Sequence, residues 1–302
     1  MDLKSKIILI SGPTASGKSN IAIKFAKKVS GEIVNADSMQ IYKELKILTA
    51  RPKKKDQQNI KHHLYGFQNV KKNFSTGHWL KLVIKKIKEI QTRNKIPILV
   101  GGTGLYFKAL TEGLVKIPQI PIKVRNQARN FQKKIGQQKF FQKLIKLDPL
   151  SKDKINPNDV QRSIRAYEIK KFTRVSIFVW FNKTKIILNN NNFVKIYIDF
   201  ERSDLIKNIN FRVEKMFKEG AVKEVKSFLK LKVPKNNSAN KVIGIKEISN
   251  YINNKSNLAE AKELIAIKTR QYAKRQTTWA RGQMTNWQKI DPNNLNTVIK
   301  KL

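Results

Sequence analysis

The chain has no cysteine among its 302 residues. Disulfides are therefore excluded, and no thiolate is available for a structural zinc site. Long apolar runs are missing too: none reaches the roughly 18 residues that a membrane span requires. Acidic residues are scarce, 21 against 63 Lys and Arg. The first strand-like run begins at Lys6, which leads us to expect no targeting peptide and a cytoplasmic protein.

What is present fits a folded chain of about two domains. Hydrophobic residues make up 40% of it, enough for a real core. The formal net charge is +42. A polyanionic partner, nucleic acid or an anionic membrane, would account for such a charge. So would the codon bias of an AT-rich genome, since Lys, Ile and Asn are all heavily used. Composition alone leaves both open.

Ile7-Ile8-Leu9-Ile10 reads as a buried strand ending in a tight loop at Ser11-Gly12-Pro13. Helical spacing follows from Asn20 to Val29, then a second strand over Glu32–Ala36 that stops at Asp37. Ser75 caps a predicted helix to Arg93, with Trp79, Val83, Ile87 and Ile90 on one face. Ile96–Val100 is a third strand, ending at Gly101-Gly102. Strands alternating with helices predict a parallel sheet wrapped by helices. After Gly113 the character changes. Leu114–Pro121 reads as a linker, and Ile122 to about Thr173 as basic helices. Asn189–Asn192 is expected to be a surface loop. Phe193–Asp199 returns to strand, Ser203 is the expected cap of the next helix, and a long helix runs from Leu258 to about Arg281. The expectation is an α/β fold: a P-loop NTPase-like parallel core (1–115 and 193–302) with a helical insertion domain (116–192).

Gly12-Pro13-Thr14-Ala15-Ser16-Gly17-Lys18-Ser19 fits G-x-x-x-x-G-K-[ST] in full, with a strand before and a helix after. Such a loop curls its N–H groups around phosphate oxygens at a helix N-terminus. Lys18 would neutralise the phosphates and the Ser19 hydroxyl would ligate Mg²⁺. Either a diphosphate or a triphosphate would fit. Asp37 sits at the carboxyl end of a strand, where functional groups gather. It reads as a general base, a metal ligand or a turn residue. Gly101-Gly102-Thr103-Gly104 reads as an anion loop or as a tight strand-to-helix turn. His62-His63 lacks the further ligands of a metal site. Arg162 and Arg165 share a helix face, and Arg270, Lys274 and Arg281 recur at near-helical spacing, with Tyr272, Gln276 and Trp279 on a neighbouring face. The cations read as phosphate contacts or as solvated faces. For Tyr272 and Trp279, burial is the expectation.

Taken together, these motifs resemble the tRNA dimethylallyltransferases. Gly12–Ser19, Asp37-Ser-Met-Gln-Ile-Tyr42, Thr49-Ala-Arg-Pro52, His62-His-Leu64, Gly101-Gly-Thr-Gly-Leu-Tyr106, Gln161-Arg162 and Arg270-Gln271 through Lys274-Arg275-Gln276 to Trp279 occur in that family's order. The resemblance implies transfer of a dimethylallyl group from its diphosphate to N6 of the adenosine 3′-adjacent to the anticodon, with Mg²⁺. It implies that Thr14 and Lys18 touch the diphosphate, that Asp37 takes the N6 proton, and that Thr103 bonds at the reacting centre. Arg125 would support the leaving diphosphate or the RNA. Asp37, Ser38, Met39, Gln40, Thr103, Gln161, Arg162, Ser163, Ile164, Arg165, Lys241, Gly244 and Lys246 would meet the tRNA anticodon stem-loop. His62 and His63 would lie in a loop near the site.

The chain departs from the family at Ile245, where an aromatic is more usual. It also departs at Lys241 and Lys246, where some members have Arg, and in Thr173–Lys185, where a glycine-bearing turn is missing. A monomer away from membranes is expected. The rival readings are an adenylate isopentenyltransferase or P-loop nucleotide kinase, and a non-catalytic RNA-binding NTPase. The inserted basic helices and the Gly-Gly-Thr-Gly-Leu-Tyr form favour tRNA.

Overall fold

A computed structural model describes residues 6–292. The elements in chain order are β1 (Ile7–Ser11), α1 (Lys18–Val29), β2 (Gly31–Asn35), β3 (His62–His63), α2 (Thr76–Gln91), β4 (Ile96–Gly101), α3 (Gly104–Thr111), α4 (Ile122–Ile135), α5 (Gln137–Leu147), α6 (Val160–Thr173), α7 (Ile177–Phe181), β5 (Phe193–Ile198), α8 (Arg202–Lys218), α9 (Ala221–Lys230), α10 (Ile245–Ile252), α11 (Leu258–Gln283) and β6 (Gln288–Ile290). The chain divides into two units. One comprises residues up to Thr111 and from Leu188 onward; the other is Glu112–Ile187.

The first unit is built on a parallel sheet of order β3-β2-β4-β1-β5-β6. Every residue of β1 and β4 is buried. Parallel strands covered on both faces need continuous apolar runs of this kind. One core cluster packs Ile21, Ala22, Phe25 and Ala26 of α1 against β-branched residues of the strands. A second joins α8, α9, α10 and α11 to the segment around Ile41–Leu48. Ser75 caps α2 by accepting the His78 N–H. On that helix Trp79 is fully buried, stacks on Tyr106 at 4.2 Å, and donates through Nε1 to the Asn35 carbonyl at 3.0 Å. This pairing fixes the end of β2, where the functional turn begins.

Several local expectations need correction. Helix α8 starts at Arg202 with Glu201 in the cap position, so Ser203 lies inside its first turn. The chain leaves β5 and turns within three residues, earlier than the hydroxyl suggested. Residues 190–192 form a single 3₁₀ turn, because the Asn189 side chain accepts the Asn191 N–H. The histidines form the short edge strand β3 rather than a loop, paired with Ile33 and Val34. The His63 ring lies 2.6 Å from the buried Glu32 carboxylate, which Arg93 also engages at 2.7 Å. Strand β6 was not anticipated; it extends the sheet beyond β5 over three residues.

The second unit packs α4, α5 and α6 around Phe140, Phe141, Leu144, Ile155 and Ala166. Asp148, buried, accepts hydroxyls from Ser176 at 2.8 Å and Ser151 at 3.3 Å. The segment with the unusual Val175–Phe181 run forms α7, capped by Ser176. Among the described residues, no helix is long and apolar enough to cross a membrane.

Candidate active site

The loop between β1 and α1 gets its shape from two left-handed residues, Ala15 (φ 66°) and Gly17 (φ 73°). Such turns point successive N–H groups inward as an anion-binding nest. For alanine the conformation costs roughly 1–2 kcal/mol, so the rest of the fold must hold it there. Asn208 of α8 does part of this, donating to the Ala15 carbonyl at 3.3 Å. Inside the loop the Ser16 hydroxyl is fully buried and has no hydrogen-bond partner. Lys18 folds back over the loop and donates to the Pro13 carbonyl at 3.1 Å.

Asp37 is held by backbone and by Asn35. The Asn35 side chain is completely buried. Its oxygen accepts the Asp37 N–H at 2.9 Å, and its amide donates to the carbonyls of Asp37 at 2.9 Å and Leu64 at 3.0 Å. One Asp37 carboxylate oxygen accepts the Met39 N–H at 2.8 Å, closing a short turn. The Thr103 hydroxyl accepts the Ser38 N–H at 2.9 Å and donates to Ser38 Oγ at 3.2 Å. Thus the second glycine loop braces the Asp37 turn.

The glycines of that loop are demanded by close packing. A Cβ on Gly101 would lie 2.1 Å from the Ala36 backbone. One on Gly102 would lie 2.1 Å from Gln276, and one on Gly104 2.3 Å from the Trp279 ring.

Thr14, Lys18, Ser19, Asp37, Tyr65 and Arg212 converge on one cavity of 160 Å³. Arg212, from α8, donates to the Thr14 hydroxyl at 2.9 Å. Burial pushes the Lys18 ammonium down to about 8; Asp37 opposes that shift and Arg212 reinforces it. Burial also lowers Arg212, against the pull of Asp37. The hydroxyls of Tyr65, Tyr106 and Tyr272 are all pushed up, first by burial and then by the Asp37 charge. They are therefore neutral donors at ordinary pH. Two fixed cations facing an anion-binding nest, with a carboxylate opposite, can hold a polyphosphate and accept a proton beside it. A second cavity of 280 Å³ shares Thr14, Asp37, Thr49 and Arg212; its remaining wall is mainly apolar, with Leu48, Ile209, Val213, Met216, Val242 and Ile265, and also carries Lys241, Thr269, Tyr272 and Arg275.

The remaining sequence candidates fall in different places. Gly12 and Pro13 are buried, and a Cβ on Gly12 would lie 3.0 Å from Ile198. Met39 packs on the core, while the Gln40 amide donates to the carbonyls of Thr49 and Ala50. Lys241 lines the second cavity and Ile245 is buried. Gly244 (φ 107°) caps α10, its N–H bonded to Glu247 at 2.8 Å, and Lys246 is exposed.

Arg125, Gln161, Arg162, Ser163, Ile164 and Arg165 belong to the helical unit. There Arg125 has a buried Nε with no partner. Gln161 is exposed and Ile164 is half-buried. Arg162 is exposed and pairs with Asp159 at 3.1 Å, Arg165 pairs with Glu168, and Ser163 is buried and accepts from Gln137 at 3.1 Å.

Residues 40–283 match the family model described as IPP transferase. The chain belongs to the IPP transferase family. It is 63% identical, over its whole length and 96% of the relative, to a tRNA dimethylallyltransferase of Pelagibacter ubique (strain HTCC1062). It is 46% identical to the tRNA dimethylallyltransferase of Rickettsia conorii (strain ATCC VR-613 / Malish 7), over 93% of this chain and 78% of that one. Its structure resembles a tRNA isopentenylpyrophosphate transferase of Bacillus halodurans, with a TM-score of 0.71 and 31% identity, covering 98% of this chain and 95% of the other. It also resembles a eukaryotic dimethylallyltransferase acting on tRNA, with a TM-score of 0.78 and 30% identity, covering 91% and 69%.

This IPP transferase is therefore an enzyme, and its family takes a diphosphate substrate, which is compatible with a divalent metal. Among the described residues no group of three or more His, Cys, Asp or Glu could hold a metal ion. The oxygen donors present, Ser19 and Asp37, suit a hard cation that takes its remaining ligands from phosphate and water. Sequence reasoning missed Arg212, Asn35 and the bridging role of Gln276. In a chain this basic, one cation on α8 carried no signal, and the other two act through contacts that only folding creates.

Proposed function

We propose that the chain transfers a dimethylallyl group from dimethylallyl diphosphate to N6 of the adenosine 3′-adjacent to the anticodon in tRNA. The observation that carries this reading is the shared wall of the two cavities. The phosphate nest with Lys18 and Arg212 opens beside Asp37, and Asp37 also faces the second cavity, whose wall is mainly apolar. A nucleotide kinase has no need of an apolar enclosure next to its phosphates; a five-carbon chain and an everted purine do.

In the reaction the N6–C1 bond forms and the bond from C1 to the diphosphate oxygen breaks. The N6 proton passes to the Asp37 carboxylate, and diphosphate leaves with the bonding pair. Lys18, Arg212, the loop N–H groups and the Thr14 hydroxyl stabilise charge gathering on the diphosphate. Mg²⁺, held by Ser19, would add further neutralisation there. Thr103 keeps the Asp37 turn in place through Ser38, so that base and amine are aligned. An adenine arylamine is a poor nucleophile, and extruding its base costs roughly a few kcal/mol. Contacts from Asp37–Gln40, Lys241–Lys246 and the helical insertion (116–192) through Arg125 and Gln161–Arg165 would offset that cost. The enzyme would work as a cytoplasmic monomer.

The test is incubation with dimethylallyl diphosphate, Mg²⁺ and unmodified tRNA, followed by mass analysis of the nucleosides. Adenosine heavier by one isoprene unit is expected. Consumption of ATP with no prenylated adenosine would overturn the reading in favour of a kinase or NTPase.

A further inference from the structure

The phenols of Tyr65, Tyr106 and Tyr272 all feel the charge of Asp37, yet each faces a different place. Tyr272 lines the second cavity, with the Arg275 guanidinium 5.8 Å from its ring centroid. Tyr106 stacks on Trp79 and lines neither cavity. Tyr65 lines the phosphate cavity with Thr14, Lys18 and Ser19 and takes no part in the second one. Its hydroxyl bonds to no other side chain among the described residues. Gln40, on the same cavity, has its amide engaged by the carbonyls of Thr49 and Ala50. Tyr65 is therefore a neutral donor left without a partner at the place where phosphate oxygens would lie.

The fold goes to some length to put it there. Tyr65 follows the edge strand β3, whose His63 is tied to Glu32 of β2 at 2.6 Å. His62 donates through Nδ1 to the Ile60 carbonyl at 2.8 Å and sets its ring against Tyr65, centroids 5.7 Å apart. Both neighbours of Tyr65 are left-handed, Leu64 at φ 60° and Gly66 at φ 57°. Leucine resists that conformation, and such residues persist where the surroundings hold them, often at ligand sites. Here the Leu64 carbonyl accepts from Asn35, the side chain that also holds Asp37, and the Gly66 N–H donates to the Gln40 carbonyl at 2.9 Å. Tyr65 and Asp37 are thus fixed to one another through Asn35.

An ionised diphosphate presents acceptors only, so a hydroxyl beside it must donate, and bonds of this charge-assisted kind are strong. A phenolate would repel the anion instead; burial and Asp37 keep the proton on Tyr65. We propose that the Tyr65 hydroxyl donates a hydrogen bond to a diphosphate oxygen of the prenyl donor and is a further substrate-binding residue of the transfer. This rests on the reading of the cavity as a diphosphate site. The proton stays on the phenol throughout. The bond strengthens as the C1–O bond breaks and charge gathers on the leaving group.

The experiment compares wild type with Tyr65→Phe, which keeps the ring packed on His62 and removes only the hydroxyl. Calorimetry with inorganic diphosphate and Mg²⁺ should show affinity lower by about tenfold to a hundredfold, the scale of a hydrogen bond to a charged group. The loss should be equal at about pH 7 and about pH 9, because the phenol does not titrate between them. The denaturant midpoint and tRNA affinity should match wild type. With dimethylallyl diphosphate, KM should rise and kcat should fall, while the pH profile of kcat keeps its shape. Wild-type diphosphate affinity in the variant overturns the proposal and leaves Tyr65 a packing residue. So does wild-type affinity with a shifted pH profile, which would direct the hydroxyl to Asp37. Wild-type protein that binds diphosphate but prenylates no tRNA would sink the proposed function, while a weakened variant would still support the phenol as a diphosphate donor. Wild type that binds no diphosphate would overturn both.

Discussion

Gln276 on α11 joins the two glycine loops: its Oε1 accepts the Thr14 N–H at 2.8 Å and its Nε2 donates to the Gly102 carbonyl at 2.8 Å. Thr14 is thus gripped twice, its N–H by α11 and its hydroxyl by Arg212 of α8. A loop containing a strained left-handed alanine keeps its shape because two helices hold it. Gln276→Leu should leave both loop groups unpaired, at about 1–3 kcal/mol each. It should lower kcat/KM by about 10²-fold through misplacement of the phosphates. Gln276→Glu keeps the acceptor for Thr14 but sets a negative charge beside the diphosphate, so its substrate affinity should fall further than its stability. Denaturant unfolding and steady-state kinetics separate the two; a Leu variant with wild-type kinetics would end the argument.

Gly104 tests whether the second loop is built for packing. An alanine there would put its Cβ 2.3 Å from the Trp279 ring. Gly104→Ala should destabilise the protein by about 1–3 kcal/mol, as overpacking does. Adding Trp279→Leu should recover much of that loss. If the double variant is no better than the single one, the ring is not the obstacle.

The sheet and the phosphate loop were legible because their signals are local. A run such as Ile7–Ile10 followed by Gly12–Ser19 declares strand, turn and helix within thirteen residues. The long-range braces were not legible. Gln276 meets Thr14 across 262 residues of chain, and Glu224 meets Ile47 across 177. Neither end has a composition that marks it. Strand β6 escaped notice because three residues with two exposed show no period. Ser203 misled because a hydroxyl near a helix start is a common cap, yet here the chain had already turned at Glu201.

Asp37 has two duties that substitution can separate. It closes the turn by accepting the Met39 N–H, and in the proposed reaction it receives the N6 proton. Asp37→Asn keeps an oxygen for Met39 and loses the base; Asp37→Ala loses both. Both should lower kcat by about 10²-fold or more. Only Ala should cost stability as well, by about 1 kcal/mol. tRNA affinity should survive in Asn. Undiminished turnover in the Asn variant would remove Asp37 as the base.

Lys18 makes diphosphate binding depend on pH. Its folded-state pKa is pushed down to about 8 from an ordinary value of 10.5, chiefly by burial. Between those values the unfolded chain holds a proton that the folded one has released, so ligand-free stability should rise with pH across that window. Affinity runs the other way, because the diphosphate needs the charged ammonium. It should weaken about tenfold from about pH 7 to about pH 9, with proton uptake on binding at the alkaline end. Calorimetry in buffers of different ionisation enthalpy reads that uptake. Lys18→Ala should bind weakly and lose the dependence; equal affinity in the variant would overturn the assignment of this lysine.

The wall of both cavities depends on a carboxylate that touches neither. Glu224, in the first turn of α9, accepts the N–H groups of Lys46 and Ile47 at 2.8 Å with one oxygen and that of Leu48 at 3.0 Å with the other. Leu48, Thr49 and Ala50 run directly on from these bonds; Ala50 is left-handed at φ 46°, and all three line the cavities. Three converging N–H groups make a site that neither a neutral side chain nor a shorter one can fill. Glu224→Ala should therefore cost about 3 kcal/mol, since hydrogen bonds to a charged group are the strong ones. It should also raise KM for dimethylallyl diphosphate by loosening Thr49 and Ala50. The pH profile of kcat should not move, because Glu224 is far in mechanism from the reacting atoms. Glu224→Gln, which keeps one oxygen, should fall between Ala and wild type in both stability and KM. If stability drops while KM holds in both variants, the 46–50 segment is fixed by something other than this carboxylate.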